Sequence, residues 1–294
     1  MLSDYHNKIA FETIRPKRQS APIVFNSAHS GSDYPKRFIE ISRLDNFSIR
    51  QSEDAYIDEL FNNAPKMGAP MLRALFPRAY LDVNREPYEL DQKMFSDILP
   101  KYYNIKSQRV KTGLGTIAKI VAPNRKIYSN KLSLDDAKMR IEGIYRPYHL
   151  ALQKLLGQTV EQFGAVVLID CHSMPSLEKT RNNKAPDIIL GDRFGCSCSP
   201  VIIDLVETIF VGAGLTVVKN QPYAGGFITH SYGKPKHNIH ALQIEISRNL
   251  YMNEASLKKS DNFLALKKIL DDLILALMEL NITRLFNIEI KAAE

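Results

Sequence analysis

The sequence predicts one α/β domain spanning residues 1–294, with a mixed, mostly parallel sheet and helices on both faces. Three observations predict it. The apolar run Ala165 to Ile169 in "AVVLIDCHSMPS" suits a central strand covered on both sides. Short strand-like runs alternate with longer helical patterns. Polar clusters close several of those runs, at the strand ends where open α/β sheets bind ligands.

Taken in order, "PIVFNSA" (22–28) reads as a strand ending in the polar loop "HSGSDYP". Ser52 to Asn63 places Ile57, Leu60 and Phe61 at helical spacing behind an acidic start, which predicts an amphipathic helix. "MLRALF" and "AYLDVN" read as two short strands around Pro77. Residues 88–130, with Gly113, Gly115 and Pro123, read as an insertion or lid within the domain. A helical pattern from Ser133 to Phe163 is expected to break near Pro147. The strand at 165–169 would carry Asp170, Cys171, His172 and Ser173 at its carboxyl end. After it come a strand at 187–191, a helix near 199–213, a strand at 215–220 and a glycine-rich loop. "HALQIEIS" (240–247) alternates Gln243, Glu245 and Ser247 with apolar neighbours, and a helix from Glu254 to Leu280 ends the pattern.

The chain of 294 residues, 45% hydrophobic and 24% charged, is long enough to bury a sizeable core. "MLSDYHNKIAFETIRPKRQS" has no continuous apolar stretch, so no signal peptide is read there, and no run is apolar enough to span a membrane. Three cysteines, two in the tight "CSC" at 196–198, argue against a disulfide framework and for a reducing cytoplasm. The net charge of +7 is spread along the chain. "RPKR" and "GKPKH" lack interleaved aromatics, so the charge suits a small anionic substrate rather than nucleic acid.

Five polar clusters, "SAHSGSDYP", "SEDAYID", "LDVNREP", "IDCHSMP" and "QIEISRNLY", could converge from strand ends into one site. His29 and His172 are nitrogen donors, and a carboxylate from Glu53, Asp54 or Asp58 would complete a three-ligand zinc site with an open water position. Glu245 is placed to take a proton from that water. Asn84 and Arg85 offer an amide and a planar cationic fork for a substrate carboxylate. Each residue also has an ordinary structural reading. Asp54 could only start its helix, Glu245 could be a solvated edge residue, and Arg85 could pair with Glu86 or Asp82. His230, His237 and His240 are read as loop residues with structural or substrate-contact roles, and Cys171 as pointing away from His172.

Eight strings in order, "NSAHSGSDYP", "EDAYIDELF", "LDVNREP", "GLGTIAKI", "YRPYHLAL", "IDCHSMPS", "NQPYAGGFITHSYG" and "HALQIEISRNLYM", resemble the N-formylglutamate amidohydrolase family. The resemblance runs from about residue 22 to 252. It implies a fold related to the zinc carboxypeptidases and aspartoacylases, in which two histidines and a carboxylate hold the metal. It also implies that "DVNR" binds a carboxylate, that "QIEI" carries the catalytic glutamate, and a place in histidine degradation. Those carboxypeptidases take two ligands from His-x-x-Glu, whereas here Ser32 stands three residues after His29. The acidic segment after the first loop then becomes the source of the missing ligand, and Asp54 is taken ahead of Glu53 and Asp58; Asp54 and Asp58, four apart on one helix face, would let one ligate while the other supports a histidine from behind.

The expected activity is zinc-dependent cleavage of the amide of a small anionic N-acyl amino acid, most simply N-formyl-L-glutamate to formate and L-glutamate. Tyr223, Gly225, Gly226 and Arg248 are expected to join Asn84 and Arg85 around the substrate. Another divalent transition metal could replace zinc, another N-acyl amino acid or peptide could be the substrate, and a non-catalytic binding module is the alternative from a different class.

Overall fold

The computed structural model describes residues 8–177 and 185–280; the first seven residues of the N-terminal segment read above lie outside them. Backbone contacts divide the chain into two compact units. One comprises Met1–Glu12, Ala28–Asp54 and Arg73–Leu152; the other comprises Thr13–Ser27, Ala55–Leu72 and Gln153–Glu294.

The central feature is a seven-stranded sheet. Its first strands are β1 (Phe11–Ile14), β2 (Ile23–Ser27) and β3 (Met71–Ala74). A separate hairpin, β4 (Ile120–Ala122) and β5 (Arg125–Lys126), follows these in sequence and is not part of the sheet. The sheet resumes with β6 (Val166–Met174), β7 (Ile188–Gly191), β8 (Val217–Lys219) and β9 (Ile239–Ser247), in the order β1-β3-β2-β6-β9-β7-β8. The pairs β2–β6, β6–β9 and β7–β8 are parallel, and β7–β9 is antiparallel, so the sheet is mixed and mostly parallel.

The two-residue period of the strands sorts their side chains. Val167, Ile169 and Cys171 of β6 and Leu242, Ile244 and Ile246 of β9 join one apolar core. Three helices pack into it: α2 (Ile57–Leu60), α6 (Pro200–Gly212) and α8 (Phe263–Glu279), through Leu60, Val206, Phe210, Leu270 and Leu273 among others. Burying each such side chain contributes roughly 1.5–3 kcal/mol. The alternate residues, Asp170 and His172 on β6 and Gln243 and Glu245 on β9, therefore take the opposite face. The parallel register sets His172 directly beside Glu245 and Asp170 beside Gln243.

Several elements differ from the sequence reading for identifiable reasons. β6 does not stop at Ile169 but runs through Asp170, Cys171, His172 and Ser173 to Met174, because β9 continues to offer it partners as far as Ser247 after the pairing with β2 has ended at Asp170. "AYLDVN" is not a strand: the Pro77 carbonyl accepts from Tyr80 and Leu81, and Asp82 Oδ1 accepts from the Asn84 amide at 2.8 Å, an Asx-type turn. The helix expected over 52–63 shrinks to α2, because Tyr56 takes a left-handed backbone (φ 67°) just before it. Asp54 thus lies outside the helix, and Asp54 and Asp58 do not share a helix face. The short helices α1 (Lys36–Ile41) and α3 (Gln108–Lys111) fall in the first unit, which also contains all of 88–130.

Instead of breaking at Pro147, α4 (Leu134–Arg140) passes through a π-helical turn at Ile141–Tyr145 into α5 (Arg146–Phe163). The wider turn sits where the missing N–H and the ring of Pro147 would disturb a tighter one. His230 belongs to α7 (Phe227–Tyr232), His237 to a 3-10 turn, and His240 to β9. Burial pushes the His240 imidazole down to about 4. The last helix starts only at Phe263, after a hairpin of β10 (Met252–Asn253) and β11 (Lys258–Lys259) whose turn holds Leu257 left-handed (φ 55°). Among the described residues no helix is long and apolar enough to cross a membrane.

Candidate metal centre

His29 follows β2 in a loop whose Gly31 packs on backbone: a Cβ there would lie 2.3 Å from the Phe76 carbonyl oxygen. The Asp33 amide donates to Leu75 O at 2.9 Å, and the Asp54 amide donates to His29 O at 3.1 Å. These bonds bring Asp54 Oδ2 to 3.4 Å from His29 Nδ1. On the other side of the ring, His29 Nε2 meets Asp82 Oδ1 at 2.7 Å. Burial alone would raise the Asp82 carboxyl, but the charges of Arg85 and Arg78, with the hydrogen bond from His29, hold it well below the usual carboxylate range. An ionised Asp82 fixes the hydrogen on Nε2 and leaves the lone pair on Nδ1, the arrangement of a histidine ligand supported from behind. Arg78 donates to Asp82 Oδ2 at 3.0 Å and also lies 3.6 Å from Asp54 Oδ1.

His172 also has a carboxylate beside it, within ion-pair distance but without the hydrogen bond that joins His29 to Asp82. Its Nε2 lies 3.0 Å from Asp170 Oδ2, and Asp170 Oδ1 accepts from Asn26 Nδ2 at 2.7 Å. Beside it, Glu245 Oε1 accepts from Gln243 Nε2 at 2.8 Å. Glu245 is not a solvated edge residue: it is 8% exposed and lies in β9, between β6 and β7. Cys171 points into the apolar core, where burial pushes its thiol well above its ordinary value. All three cysteines are free.

The candidate donor atoms of His29, Asp54 and His172 lie within 4.8 Å of one another, and all three residues are buried. Two imidazoles and a carboxylate are a donor set that fits zinc or another divalent transition metal. The other acidic candidates are placed differently. Glu53 is taken up by Arg50, whose Nε and NH2 donate to its two oxygens at 2.9 and 3.0 Å, and Asp58 lies on α2. The support for His29 comes from Asp82, which the sequence reading considered only as a partner of Arg85.

The residues expected around a substrate are also placed. Arg85 donates from Nε to Leu114 O at 2.8 Å and from NH1 to Asn84 O at 2.7 Å, with NH2 3.5 Å from Asp82 Oδ2. Asn84 is buried beside it. Arg248 donates to Ser173 Oγ at 3.2 Å, from the turn after β9. The Gly226 amide donates to Gln243 Oε1 at 2.8 Å, which ties the loop containing Tyr223, Gly225 and Gly226 to the residue that holds Glu245.

Comparison with known proteins identifies the family. The sequence profile of the family described as N-formylglutamate amidohydrolase matches residues 21–252. An N-formylglutamate deformylase from Pseudomonas putida is 32% identical over 203 residues, covering 68% of this chain and 71% of the relative. A second, from Pseudomonas aeruginosa, is 27% identical over 247 residues, covering 83% of this chain and 86% of the relative. The crystal structure of N-formylglutamate amidohydrolase from Ralstonia eutropha superposes with a TM-score of 0.87 at 33% identity, covering 92% of this chain and 97% of that one. With the profile spanning most of its length, the chain belongs to the N-formylglutamate amidohydrolase family.

Proposed function

We propose that the protein hydrolyses N-formyl-L-glutamate to formate and L-glutamate, with a divalent transition metal, most simply zinc, held by His29, Asp54 and His172. The observation that carries this reading is the buried His29–Asp54–His172 donor set, with Glu245 paired directly beside His172. A metal bound there supplies Lewis acidity toward water and toward the formyl oxygen. Glu245, oriented by Gln243, accepts the proton of the attacking water and delivers it to the departing amine as the C–N bond breaks. Asp82 and Asp170 keep the two imidazoles in the tautomer that presents a lone pair. The terminal N–H groups of Arg85, with Asn84 and Arg248, hold the α-carboxylate, and the Tyr223–Gly226 loop lines the substrate through its backbone.

The test is formate release from N-formyl-L-glutamate, set beside N-acetyl and N-succinyl amino acids, on metal-loaded and chelator-treated protein. Turnover should require the metal. Glu245→Gln should retain it while losing about 10² or more in turnover, because the amide cannot accept a proton. Undiminished turnover after chelation would sink the metal-dependent reading. Faster release from another acyl amino acid would reassign the substrate, and release from none would favour a binding module.

A further inference from the structure

We propose that Arg193 receives the side-chain carboxylate of the acyl-glutamate substrate; the assignment rests on the reading above and extends it to a residue with no other evident task. Gly191, the last residue of β7, pairs with Gln243, and Ile189 pairs with Glu245, so β7 lines the same face as the proposed base. Gly191 leaves room for the next loop: a Cβ there would lie 2.7 Å from Gly225 N and 2.8 Å from Ala224 C. Arg193 is joined to that loop. Its amide donates to Ala224 O at 2.8 Å, and its Cγ lies 3.2 Å from where a Gly225 Cβ would stand. Gly226, the next residue, is bound by Gln243, which in turn holds Glu245.

The backbone at Arg193 is unusual. Arg193 and Phe194 both adopt φ 55°, a left-handed conformation that side chains with a Cβ resist. A dedicated brace maintains it. Asn220 Oδ1 accepts from the amides of Asp192 and Phe194, and Asn220 Nδ2 donates to Asp192 Oδ1 at 2.6 Å. The other Asp192 oxygen accepts from Gly195 N at 3.0 Å. The neighbouring carboxylate is thus consumed by the turn. Among the described residues the partly buried Arg193 guanidinium has no ion pair or hydrogen bond, whereas Arg78, Arg85 and Arg140 each meet a carboxylate. A planar fork fixed by its backbone and lacking an internal anion is suited to an external one.

Strand order selects the carboxylate. β6 carries His172, β9 carries Glu245, and Arg193 follows the end of β7, the strand on the far side of β9 from the metal ligand. Two strand spacings are roughly 10 Å. The side-chain carboxylate of an N-acyl glutamate is the one more distant from the scissile amide.

The experiment compares wild type with Arg193→Gln and Arg193→Lys on N-formyl-L-glutamate and on N-formyl-L-glutamine, which replaces the side-chain carboxylate with a neutral amide. Arg193→Gln should raise KM for the glutamate compound roughly tenfold or more with little change in kcat. On the glutamine compound, already poor for wild type, it should change little, and Arg193→Lys should fall between. Equal losses on both substrates, or none on either, would overturn the assignment. Glutarate titrated by calorimetry supplies an arm without chemistry, and wild type should bind it at least about tenfold more tightly than Arg193→Gln. If wild type does not hydrolyse N-formyl-L-glutamate, the functional reading fails and this titration alone decides Arg193, equal affinities overturning it. Arg193→Asn, better tolerated in the left-handed region, replaces the glutamine variant if that one does not fold.

Discussion

Asp170 stands two residues before His172 on one strand, whereas Asp82 lies 53 residues beyond His29, on a loop. The first hold is made by the pleat, because residues two apart on β6 share a face. The second is assembled from a turn after Pro77, the packing of Gly31 on Phe76, and two arginines that keep Asp82 ionised. One is nearly independent of the rest of the chain; the other depends on several distant segments. The strand-borne hold should therefore be sturdy, and the loop-borne one should be sensitive to charge and to pH.

Removing either imidazole is the harshest test of their equivalence. His29→Ala and His172→Ala should each lose the metal and bring activity to the level of chelated protein, as measured by metal analysis and formate release. Full metal content in either variant would break the symmetry and the site with it. Removing the supports should separate the two. Asp82→Asn and Asp170→Asn should each weaken metal binding by about 10–100-fold. Asp82→Asn should lower Tm further, because it leaves Arg78 and Arg85 without their shared carboxylate. A larger fall in Tm for Asp170→Asn would reverse the comparison.

Acid sharpens it. A depressed native pKa means that Asp82 contributes stability above its unfolded value of about 3.9, and that this is lost as pH falls through the lower folded value. Tm of the wild type should drop steeply below about pH 4, and Asp82→Asn, already less stable at neutral pH, should show a shallower acid limb. The smallest effect belongs to Glu53→Gln. It disturbs the pair with the partly exposed Arg50 and leaves an amide of the same size in the buried site, so metal content should hold and stability should fall by less than in Asp82→Asn in denaturant titration.

The same contrast explains what the sequence could reveal. The run before Asp170 and the alternation around Glu245 announce two strands, and their register makes His172 and Glu245 neighbours. The sheet's mixed, mostly parallel character and the burial of Cys171 on the opposite face follow from that pattern. Asp82 and Arg193 gave no comparable signal. Both sit in turns whose partners, Thr116 O for the Asp82 amide and Asn220 for the Arg193 turn, are distant in sequence. The Asx-turn chemistry of Asp82 was available in "LDVNR", but β-branched and apolar neighbours made it read as a strand. Likewise Tyr56 carries no mark of its left-handed backbone, so the acidic segment reads as a helix start; Asp54 is already the preferred ligand there, but the bond from its amide to the His29 carbonyl has no sequence signal.

The in-register pairing of β6 with β9 also constrains how this protein can diverge. Substitutions at His172 or Glu245 grade the chemistry, but a single deletion between Val166 and Asp170 would act as an indexing error. It would turn Cys171 to the working side and drive an imidazole among the apolar side chains packed with α6 and α8. Length variation should accordingly collect in the segments between strands, while the two nine-residue strands keep a fixed count.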